Sequence, residues 1–560
     1  MDRPGFRLVV ECLEDRCLLS PIPLPAIPDG TFDITSYGAV GDDTTTNTAA
    51  IQNTINATQA AGGGTVLVPP GTYLSGPLHL ANHVNLQIAD GAILRMLPRG
   101  VYPSSSTPFI TVSNLNNVEI SGTGVIDGQG AGWWSQSSRP RLIQVSNSSI
   151  VALQNVTLLN SPKEHLAFGH TSEVTINGVT ISAPSNSPNT DGIDPAGSDY
   201  LIENCDIAVG DDNVAVKPQN VACSNIIIAH CTFGSGHGVS VGGQTNDGLD
   251  GMSVIDCSFS GTTNGLRLKA GRGFGGLVQN LTYDQITMTN VQHPIWVTSY
   301  YLNGSATDAS DPSLDPGQPV TATTPFWQNI TFSNITATGA SNAGTFYGLP
   351  EAPVVNVTLT NVTITANSKM KVYHAQNLQF ISSTITPEQL LTYDATVDYP
   401  PTVALLDAGF ELPFVGIGTP DAFQYNPSGS PWTFSDSSGV AGEWGGLTDG
   451  NPDAPQGTQV AFLQRFGSIS QALYFPAGTY SLSFLAAQRA NGNVSSQTIQ
   501  VWVDGAVVGT FTPADSNYAS FTTDSFTVAD GVHTVSFVGI DPDGQDNTVF
   551  LDQIGVNRVG

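Results

Sequence analysis

Asp191, Asp211, Asp212 and His237 fall in one stretch, Asn186 to Arg272, of a 560-residue chain. Each lies in a polar knot between short apolar runs: Asn189-Thr190-Asp191, Gly210-Asp211-Asp212 and Gly236-His237-Gly238. A basic pair, Arg267 and Lys269, follows. Three carboxylates packed together cannot all ionise easily, so at least one should keep its proton near neutral or mildly acidic pH. One proton donor opposite a separated carboxylate base is what glycosidic hydrolysis requires. His237 could orient or tune the acid. A lone Asp in an Asn/Gly turn more often caps backbone, so the weight rests on the whole group.

A repeat must bring these residues together. Cys205, Cys231 and Cys257 recur every 26 residues, and Asp211 and His237 share that interval. Short β-branched runs and Asn/Gly/Asp turns at a fixed period mark a stacked repeat. If each period is one coil of a parallel β-helix, residues one period apart stack about 4.8 Å apart. The Cys phase then reads as an inward ladder of buried free thiols. Repeats run through Asn155, Asn177, Asn204, His230, Asp256, Asn334 and Asn361. Several match Asn-x-Ser/Thr, but their phase argues for turn residues rather than glycosylation sites.

Composition narrows the partners. The formal net charge is −29, from 46 acidic and 17 basic residues, which argues against nucleic-acid binding. Seven of the cations lie between Arg139 and Arg272: Arg139, Arg141, Lys163, Lys217, Arg267, Lys269 and Arg272. Such gathering suits an anionic ligand, and ordinary surface charge is the alternative. No stretch is apolar enough to span a membrane.

In chain order, residues 1–28 read as a leader and Pro-rich spacer, 29–395 as the β-helix, 396–406 as a linker and 407–560 as a sandwich. Met1–Ser20 lacks an ordinary signal-peptide core. It resembles the Leu-Glu-Asp-Arg leader of some exported bacterial proteins, so a secreted or cell-surface location with an atypical export signal is expected. Asn47 or Thr48 should cap a helix carrying Ile51 and Ile55 and stopping at Gly62-Gly63-Gly64, which could close the open end of the solenoid. Trp133 and Trp134 suit stacking on sugars if exposed. Asn303–Thr324 reads as a long loop bordering the site. After Asp407 the strands alternate, as in Thr498-Ile-Gln-Val-Trp-Val, and Asp504-Gly505 signals a hairpin. A jelly-roll-type antiparallel β-sandwich follows. The fold class is all-β throughout.

The four signatures Asn189-Thr190-Asp191, Gly210-Asp211-Asp212, Gly236-His237-Gly238 and Arg267-Leu268-Lys269 resemble, in order and spacing, those of the polygalacturonase family, glycoside hydrolase family 28. The likeness covers roughly Phe32 to Thr386, with Tyr301 matching a family tyrosine. The resemblance implies a right-handed parallel β-helix and inverting hydrolysis of α-1,4-galacturonosyl linkages in pectin or polygalacturonate. It makes Asp211 the general acid, with Asp191 and Asp212 holding water and His237 supporting the acid. Asn189, Arg267, Lys269 and Tyr301 would bind substrate. Arg267 and Lys269, at i and i+2 on a strand, would share a face and grip a galacturonate carboxylate; the alternative is that they balance the aspartates. Asn213 stands where many members have Cys, leaving Cys223 without the disulfide partner usual in some relatives.

The C-terminal part resembles galactose-binding-like sandwiches attached to bacterial carbohydrate enzymes, through DAGFE from Asp407 and FLDQIGV from Phe550. That likeness implies an accessory carbohydrate-binding-type module and a structural Ca²⁺ on Glu411 and Asp552, or else two solvated acids. No cofactor is expected for catalysis, and a monomer is expected. Competing readings are a hydrolase of rhamnogalacturonan or xylogalacturonan, a Ca²⁺-dependent lyase, and a non-catalytic β-helix adhesin.

Overall fold

In the computed structural model, residues 22–301, 312–387, 390–398, 403, 405–492, 495–529, 531–541 and 547–559 are described. The leader Met1–Ser20 and the start of the Asn303–Thr324 loop lie outside them. The chain divides into two compact units, Met1–Tyr399 and Pro400–Gly560.

The first unit is a parallel β-helix of 33 strands. Leu166, Ile193, Val214, Val239, Leu266 and Ile295 pair in register on six successive coils. All six are buried, forming one inward column of a continuous apolar core. Side chains alternate along each strand, so the neighbouring register of Ala215, Ser240, Arg267 and Trp296 belongs to the opposite face of the same sheet. Cys205, Cys231 and Cys257 are buried free thiols, as is Cys223.

The turn residues act as read from the repeat. Asn155, Asn204, Asn334 and Asn361, with His230 and Asp256, all have φ between 50° and 61°, a left-handed conformation that Asn tolerates. At the turn after Asn177 it is Gly178 that takes the positive φ. Asn204 donates to Asn177 and Asn361 to Asn334, at 3.0 and 2.8 Å. A second ladder joins Asn377, Asn356, Asn329 and Asn280. These amides link coil to coil.

The helix Thr48–Ala60 buries Ile51, Thr54, Ile55 and Thr58 and packs beside the first strands. Asn47 takes the N-cap position without a side-chain cap. Its amide instead bridges Val40 and Thr45, while the Thr48 hydroxyl accepts from Gly76 N at 2.6 Å. The exposure that sugar stacking would need is not met by Trp133. Trp133 is buried edge-on against Tyr102, and the half-buried Trp134 donates its indole N–H to Ser161 O.

The second unit packs a seven-stranded against a five-stranded antiparallel sheet, around Phe410, Trp432, Ile469, Phe484, Val501 and Phe537. Ile499–Val503 and Ala506–Phe511 form the expected hairpin, with Asp504 and Gly505 at φ 50° and 80°. Two positive φ values are what a two-residue type I′ turn needs. Glu411 accepts from the backbone N–H groups of Thr458 and Gln459, both at 2.9 Å. Asp552, in the last strand, accepts from Gln456 N at 2.7 Å. The two acids therefore tie the first and last segments of the unit to one loop.

Asn213 is the strongest single tie beneath the aspartates. Its amide nitrogen donates to Ile207 O and Ser235 O, and its oxygen accepts from Gly238 N at 2.8 Å. A Cβ at Gly236 would run into this amide, which explains the first glycine of Gly236-His237-Gly238. Asn213→Ala strands the Gly238 N–H, at about 1–3 kcal/mol for an unsatisfied group, while Ile207 O and Ser235 O keep their bonds from Gly234 N and Val209 N. A lower urea midpoint for this unit, with the slope unchanged, is the expected result.

Candidate active site

The catalytic-type residues stand at turns and strand starts on one side of the sheet, where successive coils superimpose them. Asp212 is the fixed point. It is 1% exposed. Its Oδ1 accepts from Ser240 Oγ at 3.0 Å and from Arg267 Nη2, and its Oδ2 accepts from Lys269 Nζ at 2.9 Å. Burial alone would raise its pKa, but Arg267 and then Lys269 hold the carboxyl far below the usual range.

The basic pair faces Asp212. Arg267 and Lys269 do share a face, yet both side chains are buried and committed to Asp212. Balancing an aspartate is what their geometry does. The Tyr301 ring centroid lies 5.1 Å from Lys269 Nζ, within cation–π range.

Asp211 is the most open of the three, its side chain 24% exposed against 9% for Asp191 and 2% for Asp212. Its Oδ1 pairs with His237 Nδ1 at 3.0 Å, one coil away as the 26-residue interval requires. Asn189 Nδ2 reaches its Oδ2 at 3.4 Å, and Arg139 in turn fixes the Asn189 oxygen at 2.6 Å. Burial works to raise the Asp211 pKa, but the His237 hydrogen bond and charge and the Lys269 charge bring it below the ordinary value.

Asp191 is the one of the three whose pKa is raised. Burial pushes it up to about 6; Lys217 opposes this, while Asp212 and Asp211 add to it. Lys217 Nζ sits 3.2 Å from Asp191 and 3.7 Å from Asp194. Asp194 is buried, its pKa is driven well above the carboxylate range by burial, and its Oδ1 has no hydrogen-bond partner. Beneath Asp191, the buried His165 places Nδ1 3.1 Å from the Asp191 carbonyl and Nε2 3.3 Å from Ser161 N. Accepting at Nε2 makes Nδ1 the donor, and burial pushes its pKa down to about 4, so the ring is neutral.

Lys217, Asp194 and His165 were not singled out as site residues from the sequence. A signal existed: His165, Asp191 and Lys217 are spaced by 26 residues, the same interval as Asp211 and His237. Next to this column a cleft of about 400 Å³ extends over Arg141, Gln144, Glu164, His170, Asp194 and Lys217. Asp211, Asp212 and His237 also offer ligand atoms within 4.8 Å of one another. Arg267 and Lys269 already neutralise Asp212, so a divalent cation there would meet two like charges. The cluster suits proton transfer better than metal binding.

The sequence profile of Glycosyl hydrolases family 28 matches residues 64–384. The chain belongs to that family. It is 33% identical over 368 residues to an endo-polygalacturonase of Pectobacterium carotovorum subsp. carotovorum, covering 59% of this chain and 87% of the relative. It is 32% identical over 353 residues to a probable polygalacturonase of Arabidopsis thaliana, covering 60% and 74%. Among solved structures, the polygalacturonase of Erwinia carotovora ssp. carotovora aligns with a TM-score of 0.50 at 30% identity, covering 69% of this chain and 98% of that one. The protein is a glycoside hydrolase, and the family match falls within the first unit.

Because Asp212 cannot take a proton, Asp191 and Asp211 share what the site holds. The one-proton state is lost as pH rises through about 6, so kcat/KM for the free enzyme should fall there. Lys217→Met removes the cation that opposes protonation of Asp191. The basic limb should then move upward by about 1–3 pH units, read directly from the pH profile.

Proposed function

We propose that the protein hydrolyses α-1,4-galacturonosyl linkages of polygalacturonate by single displacement, with inversion at the anomeric carbon. The observation that carries the reading is the arrangement of the three carboxylates: Asp212 buried against Arg267 and Lys269, Asp191 against Lys217, and Asp211, the most exposed, against His237. The substrate class is supported by the named activity of the relatives.

In the free protein Asp191 has the raised pKa, whereas Asp211 is the most exposed carboxyl of the three. Substrate reconciles the two. A galacturonate chain strips water from Asp211 and brings negative charge beside it, and both effects raise its pKa. Asp191 is already buried and changes less. The proton therefore passes to Asp211, which delivers it to the glycosidic oxygen as the C–O bond breaks. Water attacks the anomeric carbon from the opposite face, with Asp212 orienting it and Asp191 taking its proton. The cycle ends with the proton on Asp191, as in the resting state. In this reading Asn189 and His237 position Asp211, and Lys269 with Tyr301 lines the sugar site around Asp212. A polymeric substrate also places the enzyme outside the cell.

Asp211→Asn keeps the shape but cannot donate, so kcat should fall by about 10²–10⁴-fold with little change in melting temperature. Proton NMR of the first-formed product should show the inverted anomer; a retained anomer would overturn the displacement assigned here. Reducing-sugar release from de-esterified polygalacturonate should exceed that from rhamnogalacturonan and xylogalacturonan.

For the second unit we propose an accessory carbohydrate-binding role and a structural Ca²⁺ held by Glu411 and Asp552. Burial pushes Asp552 up to about 7, and the nearby charges of Glu411 and Asp407 add to this despite two backbone hydrogen bonds. A hard cation would relieve that repulsion. Without it, a folded-state pKa raised above the unfolded value near 3.9 means that stability drains away as pH rises from about 4 through 7. Chelation should therefore lower the melting temperature of this unit, and more at pH 8 than at pH 5. An unchanged transition at both pH values rejects the ion.

A further inference from the structure

Trp444 of the second unit is 59% exposed and, among the described residues, it is the one tryptophan in the exposed class. Its backbone has φ +54°, where bulky residues are rarely found and where an outlier points toward function. The ring is not loose. Its Nε1 donates to Asp453 Oδ1 at 3.1 Å. The surrounding loop is fastened repeatedly: Glu443 N to Thr458 O, Ala454 N to Glu443 Oε1 at 2.7 Å, and Thr448 Oγ1 to Gly442 O at 2.6 Å. Asn451 secures the same loop to Gln488 O and Ser516 O. An indole whose N–H is satisfied within the loop, on a backbone held in an unfavourable conformation, is held out toward solvent with its face available.

Charge decides what covers that face. Residues 400–560 contain three Arg, no Lys and 15 Asp or Glu. Glu443, Asp449 and Asp453 lie within nine residues of the ring in sequence, and Asp449 and Asp453 are exposed. A polyanion is repelled here. An uncharged sugar ring instead lays its C–H face on the indole and offers hydroxyl donors to carboxylate acceptors, the mixture of aromatic surface and few polar groups that small-ligand sites use. We propose that Trp444 is the centre of a binding site for an uncharged polysaccharide, different in charge from the polymer cleaved by the first unit. The proposal rests on the carbohydrate-binding reading of the second unit and is independent of the hydrolytic one.

Native affinity electrophoresis of the full chain tests it, in an Asp211→Asn background so that no gel polymer is cut. The probes are β-1,4-galactan, arabinan and xyloglucan, with polygalacturonate and polylysine as charged comparisons. At least one uncharged polymer should retard the protein. Trp444→Ala should weaken that retardation at least tenfold, and Trp444→Phe, which keeps a ring, should retain most of it. Retardation by polygalacturonate should not depend on Trp444. Absence of retardation by all three uncharged polymers overturns the proposal. So does retardation indifferent to Trp444→Ala and Trp444→Phe, or a Trp444-dependent response to polygalacturonate or polylysine alone.

Discussion

A buried carboxylate between two buried cations is the constraint on which the site depends. Asp212 comes from one coil and Arg267 and Lys269 from a single strand two coils on, and they meet in a place nearly closed to water. Removing such charges from water costs several kcal/mol per ion, and only close pairing with further hydrogen bonds offsets it. Ser240 supplies one of those bonds and also accepts from Arg267 Nε at 3.0 Å. With Asp212 fixed as an anion, its neighbours cannot both ionise freely. The raised pKa of Asp191 is a consequence of that fixed charge as well as of burial.

The solenoid makes this arrangement possible. An inward column of Val, Leu and Ile holds each coil at one height, and the opposite face then receives polar residues at regular spacing. Turn asparagines in the left-handed region and their amide ladders keep the coils in register. Asn213 does the same directly beneath the site with three hydrogen bonds. Rigidity of this kind suits proton transfer, which depends on sub-ångström placement more than on motion.

Much of the fold was legible because its signals are periodic. A 26-residue interval, β-branched runs and Asn turns pointed to stacked coils without any contact information. The alternating strands and Asp504-Gly505 pointed to an antiparallel second unit in the same way. Whether Trp133 is exposed or packed was not legible, because a pattern of aromatic residues does not reveal which side of a turn faces Tyr102. Lys217 was passed over although it shares the interval, since its partner Asp191 had been grouped with acids rather than along its own column.

The sequence by itself determined the repeat, the two-unit organisation and the set of residues that could perform hydrolysis, because residue type and spacing are local properties. Tertiary structure decided how those residues divide the work. Whether Arg267 and Lys269 face a ligand or Asp212 depends on side-chain direction at a buried position, which no spacing encodes. Which of three aspartates keeps the proton depends on relative burial and on the distances to Lys217, His237, Arg267 and Lys269. These are sums of Coulomb and desolvation terms over several coils, and they exist only once the coils are stacked.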